Sequence, residues 1–117
     1  MATARDFVER VSQIEGVAGC LLVKNDGVLL EQTLDDPELY ATLMQMGARE
    51  AADLMQTLGF SHCRYLCFGS RDNRNFYVFP IYHYFLGVIQ QPGAEFSTLL
   101  EQVERLIERV SIKSASA

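Results

Sequence analysis

The sequence predicts a three-layer α/β/α sandwich around an antiparallel sheet. The prediction depends on the order of the elements along the chain and on strands that are apolar on both faces. Gly19–Val23, Phe76–Phe79 and Phe85–Ile89 are apolar at consecutive positions, whereas a strand with one solvated face would alternate. Helices must therefore cover the sheet from above and below, and the chain has three candidates to do so.

A short helix and a hairpin open the chain. Apolar residues at helical spacing predict the helix over residues 4–15, which Gly16 closes. Asn25-Asp26-Gly27 predicts the turn of a hairpin with strands over 17–24 and 28–34, because these residues tolerate the positive φ that such turns need.

The second helix has local signals at both ends. Asp36 is the expected cap of the free amides, and Pro37 suits the first turn. The helix should end at Leu58, because Gly59 can adopt the left-handed conformation, with Phe60 folding back on the last turn.

Three strands and a last helix follow. The strands are expected over 61–70, 75–81 and 85–89, and an amphipathic helix over 94–113. The polar run Arg71-Asp72-Asn73-Arg74 predicts a solvated turn between the first two of these strands. Hairpin connections make the sheet antiparallel.

Composition limits the classes of function. A net charge of −5 disfavours nucleic acid as the main partner, and the absence of an apolar run near ~20 residues excludes direct membrane insertion. The N-terminus lacks the apolar core of a signal peptide, so we expect a cytoplasmic protein with reduced cysteines. We expect one domain over residues 1–113 and a disordered tail over 114–117.

The second helix carries more apolar surface than a sheet can bury. Its apolar arc spans roughly 240°, whereas packing on a sheet needs a little over ~100°. Leu39, Leu43, Leu54 and Leu58 form one part of this arc, and Gly47 with nearby alanines keeps another part flat enough for a second helix to approach. Either a partner or the other two helices of the chain must cover the surplus.

We predict that the surplus is buried in a homodimer. The strand over 61–70 supports this, because an unprotected edge invites pairing with another chain, although Arg64 and His62 are alternatively edge-protecting charges. The residues expected at the dimer interface are Tyr40, Met44, Ala48, Ala51, Met55, Cys63, Tyr65, Leu66 and Cys67.

The sequence offers no arrangement for catalysis or for a metal. Cys63 and Cys67 lie ~13 Å apart on a strand, too far to share a zinc ion that binds sulfur at ~2.3 Å. His62 and Cys63 point to opposite faces of that strand, which argues against a nucleophile and base. No phosphate-binding glycine motif is present, so we predict no catalytic residue, no cofactor and no metal.

The beginning of the chain resembles the roadblock/dynein light-chain family, in its bacterial or archaeal type. Ile14-Glu15-Gly16-Val17-Ala18-Gly19 is similar to that family's I-x-G-V-x-G strand, and Asp26-Gly27 to its hairpin turn. The order of elements matches to about Val110. The resemblance implies a five-stranded antiparallel sheet of order 2-1-5-4-3, as in profilin-like folds, with the second helix on one face and the terminal helices on the other.

The resemblance also implies partners. The third strand would pair across a homodimer or heterodimer, with the second helices side by side. Family members are non-enzymatic: some associate with small Ras-like GTPases, and others are light chains or scaffolds that tether larger complexes. For such a GTPase the second helix leaves a polar arc, which comprises Glu38, Thr42, Gln45, Arg49 and Gln56.

Overall fold

The computed structural model describes residues 3–71 and 74–116. Residues 72 and 73 of the predicted turn and residue 117 of the predicted tail lie outside this part, and the division into a domain over 1–113 and a tail stays a prediction. The elements are α1 (Ala4–Ser12), β1 (Val17–Lys24), β2 (Leu29–Gln32), α2 (Pro37–Leu58), β3 (Leu66–Phe68), β4 (Phe76–Ile81), β5 (Tyr84–Gln90) and α3 (Phe96–Ser116).

The strands form one antiparallel sheet of order β2-β1-β5-β4-β3. Successive residues of β1 point to opposite faces: Cys20 and Leu22 pack with α1 and α3, and Leu21 and Val23 pack with α2. Both faces of β1 are therefore buried under helices. The predicted three-layer sandwich and its strand order are confirmed.

The ends of α2 follow the local signals, with one exception. The helix begins at Pro37 and ends at Leu58, and Gly59 takes a φ of 82°. The amides of Gly59 and Phe60 both donate to the carbonyl of Met55, at 2.8 and 2.9 Å, which closes the last turn. The expected cap is wrong: Asp36 makes no side-chain hydrogen bond to the helix, because its backbone, at φ −132° and ψ 67°, is not extended as in a capping residue.

The third strand is much shorter than predicted. β3 comprises Leu66–Phe68 instead of 61–70, and it pairs with β4 alone among the described residues. Side-chain contacts hold the residues before it: Arg64 donates to both carboxylate oxygens of Glu104 on α3, at 2.9 and 2.7 Å. Tyr65 packs against Phe96 of α3, with ring centroids 5.7 Å apart. This segment therefore leaves the sheet edge and leans toward α3.

No helix in the described ranges is long and apolar enough to cross a membrane. The described residues also contain no group of three or more His, Cys, Asp or Glu side chains that could hold a metal ion.

Candidate functional site

One side of α2 packs in the hydrophobic core. Ala41 and Met44 are buried, and Tyr40 meets Phe76 edge-on with ring centroids 5.1 Å apart. The Met44 sulfur lies close over β5, only 2.9 Å from the position that a Cβ on Gly87 would occupy. A glycine in the strand thus lets the helix approach the sheet closely.

The core side of α2 contains the residues predicted for the dimer interface. Met44 is fully buried in the protomer, so its side chain has no exposed surface to offer to a second copy. Tyr40, Ala48, Ala51 and Met55 are half-buried. The rotation of the helix puts this part of the apolar arc on the sheet and turns the leucine part outward.

The outward part of the arc forms an apolar flank on α2. Its five residues are each at least half exposed, and they fall within roughly 120° of rotation. They are Leu39, Leu43, Met46, Leu54 and Leu58. The predicted surplus of apolar surface therefore exists, but the residues that expose it are mainly the leucines.

A groove of about 500 Å³ separates the flank from the end of β3. Leu43 and Met46 line its helix side, and Phe68 and Phe76 line its sheet side. Gly47 forms part of its base, where the Phe68 ring comes within 3.4 Å of a Cβ placed on that glycine. The flat patch at Gly47, which we expected to admit another helix, is thus filled in part by a side chain of the same protomer.

The strand residues predicted for the interface separate onto two faces. Leu66 packs on the α2 side, whereas Tyr65 packs on the α1 and α3 side. Cys67 is exposed and lies opposite Tyr77 in the ladder. Cys63 is half-buried and lines a cavity of about 440 Å³ under the C-terminal half of α2.

The predicted polar arc of α2 remains largely exposed. Glu38, Thr42, Arg49 and Gln56 are exposed, and the Thr42 hydroxyl donates to the carbonyl of Glu38 at 3.1 Å. Gln45 is half-buried, since its amide packs against Gly27 in the β1–β2 turn. Arg49 forms no ion pair with any described residue, so its guanidinium is available to a partner.

The described residues do not assemble an acid, a base and a nucleophile. Cys20 is buried beneath α1, where its thiol contacts the carbonyl of Val8, and burial raises its pKa to about 11. His62 forms a hydrogen bond with the hydroxyl of its neighbour Ser61 in the segment before β3, with Nδ1 and Oγ 3.1 Å apart. These groups suit structural roles.

No family model matches the sequence, and no curated protein matches it. Solved structures do match the fold. MglB of Myxococcus xanthus superposes with a TM-score of 0.87 at 12% identity, over 97% of this chain and 96% of its own. An MglB in a tetrameric arrangement gives a TM-score of 0.80 at 18% identity, over 92% and 85%. A Roadblock/LC7 domain from Streptomyces avermitilis gives 0.73 at 16% identity, over 92% of each chain.

The chain has the roadblock/LC7 fold. The predicted resemblance is confirmed for the fold, because the sheet order, the three helices and nearly the whole length agree with these structures. At such low identities the likeness does not extend to individual residues.

Within this roadblock fold, sequence reasoning missed three exposed apolar side chains beside the predicted site. Met46 belongs to the flank, Phe60 follows the end of α2, and Phe68 lies at the end of β3 across the groove from the flank. A signal for Met46 was present, because it falls next to Leu39 and Leu43 on the helical wheel. The exposure of Phe60 and Phe68 was not visible in the sequence.

Proposed function

We propose that this protein is a non-enzymatic, cytoplasmic homodimer that binds a small Ras-like GTPase and modulates its nucleotide cycle. The roadblock/LC7 fold and the implied partners of that family support the proposal. The observation that carries it is the apolar flank of α2, because a patch of five large apolar side chains, each at least half exposed, marks a protein interaction surface.

The dimer is proposed to form through the flank and the adjacent edge of the sheet. β3 is the last strand of the sheet, and an edge strand presents amides and carbonyls to which another strand can pair. A two-fold axis beside β3 would join the two sheets and bring the two flanks together. Half-buried Leu66 and exposed Cys67, with Met55 nearby on the helix, would then lie at the centre of the contact.

Light scattering after gel filtration tests the dimer. We expect about twice the mass of one chain for the wild type. Leu58→Glu puts a charge into the flank and should give monomers. Leu66→Pro should weaken the dimer by removing a strand amide, provided that this amide is paired across the interface. Glu108→Lys on the exposed side of α3 is the control and should keep the wild-type mass. A wild-type monomer at micromolar concentration contradicts the proposal.

The GTPase is proposed to bind the exposed polar arc, comprising Glu38, Thr42, Arg49 and Gln56, with Gln45 at its border. Arg49 is the residue to test, because an arginine that enters a phosphoryl-transfer site contributes ~10³–10⁵ in rate. We propose that Arg49 is not catalytic. It contributes to affinity, and binding orders the GTPase's own residues.

Single-turnover GTP hydrolysis by a GTPase encoded beside this protein distinguishes these roles. We expect Arg49→Ala to weaken binding by less than about tenfold, the size of an exposed ion pair, with an unchanged rate in the saturated complex. A thousandfold loss of rate with intact binding would show a supplied catalytic arginine.

The alternative function is that of a light-chain-like adaptor that tethers subunits of a larger complex. The tetrameric arrangement of one similar MglB favours this possibility, since it shows the fold in a larger assembly. The same experiment separates the two functions: a tether would bind neither nucleotide state of a neighbouring GTPase and would leave hydrolysis unchanged.

A further inference from the structure

A second groove lies on the other face of the sheet, between α1 and α3. Its volume is about 460 Å³. Ile14 and Leu106 supply apolar surface to it, and three arginines surround them: Arg10 from α1, and Arg105 and Arg109 from α3. We call this surface the arginine groove. It is distinct from the apolar flank, because α2 packs on the opposite face of the sheet.

The arginine groove carries positive charge that the protein does not neutralise. Glu101 is its only acidic lining residue, and its carboxylate already accepts from Arg105 at 2.6 Å. Arg10 and Arg109 form no ion pair with any residue of the described ranges. The groove thus has an excess of two positive charges within a chain whose net charge is −5.

Two neighbouring acids on the same helices are paired with residues outside the groove. Glu9 of α1 accepts from Arg5 at 3.3 Å, and Glu104 of α3 accepts from Arg64 at 2.7 Å. Neither lines the groove. Arg10 and Arg109 are therefore the two guanidiniums of the groove that an external anion can bind without displacing an ion pair of the described residues.

We propose that the arginine groove binds an acidic segment of a partner protein that presents an apolar side chain between its carboxylates. Guanidinium groups bind carboxylates in a bidentate manner, and the apolar side chain would pack over Ile14 and Leu106. The negative charge of Glu101 within the groove argues against an anionic membrane as the ligand. Because the groove and the flank lie on opposite faces, a bound acidic segment leaves α2 accessible.

A fluorescein-labelled peptide with a central leucine flanked by glutamates is the probe, with binding followed by fluorescence anisotropy. We expect saturable binding that weakens as salt is added, because exposed ion pairs are screened. The same peptide with glutamines in place of its glutamates should not bind. Failure of the acidic peptide to saturate the wild type at millimolar concentration overturns the proposal.

Substitutions in the arginine groove should change the affinity for the peptide in two opposite directions. Arg10→Gln combined with Arg109→Gln should weaken peptide binding by about tenfold, since it removes two exposed ion pairs with the ligand. Glu101→Gln should strengthen binding by about threefold, since it releases Arg105 and removes a competing carboxylate. All three side chains are exposed, so the thermal unfolding of the variants should match the wild type.

Arg5→Gln is the matched control, because Arg5 also lies on α1 but outside the groove. It should bind the peptide as the wild type does. An equal loss in the control would show a non-specific effect of net charge and would contradict the proposal. Binding of phosphatidylserine vesicles without binding of the peptide would replace it by a membrane-facing role. Neither measurement uses a GTPase, so the result is independent of the proposed function.

Discussion

Gly87→Ala is the sharpest test of how α2 packs on the sheet. A Cβ at this position would lie 2.6 Å from the Leu21 Cδ2, 2.9 Å from the Met44 Sδ and 3.0 Å from the Phe76 Cε1. Leu21 and Met44 are fully buried, so neither can move into solvent. Overpacking a core costs about 1–3 kcal/mol, and three simultaneous contacts place this variant near the upper end.

The contact with Met44 makes a double-mutant cycle possible. Met44→Ala alone should cost about 2–5 kcal/mol through the cavity that it leaves. The same cavity removes one of the contacts that oppose a Cβ at Gly87. We therefore expect Gly87→Ala to cost about 1 kcal/mol less in the Met44→Ala background than in the wild type.

Urea unfolding at a fixed protein concentration gives the free energy of unfolding of the wild type, the two single variants and the double variant. Far-UV circular dichroism is the appropriate signal, because the chain has no tryptophan. If the losses of stability in Gly87→Ala and Met44→Ala sum to the loss in the double variant, the close contact of Met44 with β5 is refuted. A Gly87→Ala variant within about 0.5 kcal/mol of the wild type would refute the tight packing of the whole layer.

Three further predictions concern single groups. Burial raises the pKa of Cys20 to about 11, so iodoacetamide at pH 8 should alkylate this thiol only after unfolding in urea, as peptide mass spectrometry would show. The guanidinium of Arg64 lowers the pKa of Glu104, so the stability that this pair contributes should be present above the ordinary carboxyl pKa and be lost as pH falls through the lowered value. Acid titration of wild type and Arg64→Ala measures the difference, and parallel curves would contradict it. Gln90→Leu should cost about 1–3 kcal/mol in urea unfolding, because the buried Tyr77 hydroxyl, which donates to the Gln90 amide oxygen at 2.7 Å, loses its acceptor; an unchanged midpoint would show that this bond contributes nothing.

Local signals predicted the boundaries of α2 well. Pro37 and Gly59 act through their own backbone restrictions, which depend little on the rest of the chain. The end of α1 was predicted three residues too late. It lies at Ser12 instead of residue 15, because Ile14 folds into the core from a turn in which its amide bonds to the carbonyl of Val11.

The length of β3 could not be predicted from the residues around it. The apolar pattern over 61–70 suits a strand, but Arg64 and Tyr65 bind α3, an element thirty or more residues later in the chain. Residues before β3 can either pair in the sheet or pack against α3, and a choice decided by distant side chains leaves no periodic pattern in the local sequence.

The rotation of α2 was ambiguous for a related reason. An apolar arc of roughly 240° allows several orientations on a sheet. The fit of Met44 over Gly87 selects one of them, and that fit joins residues from two distant elements. The arginine groove was missed in the same way, because it exists only where α1 and α3 lie side by side.

The central strand of the sheet, β5, pairs with β1, which lies about sixty residues earlier in the chain. Their pairing closes a long loop, and such non-local contacts slow folding. During synthesis β1 can form its hairpin with β2 early, but its other edge stays unpaired until β5 has left the ribosome. A chain interrupted before β5 would therefore expose an apolar strand edge, and truncated products should aggregate instead of accumulating as smaller folded units.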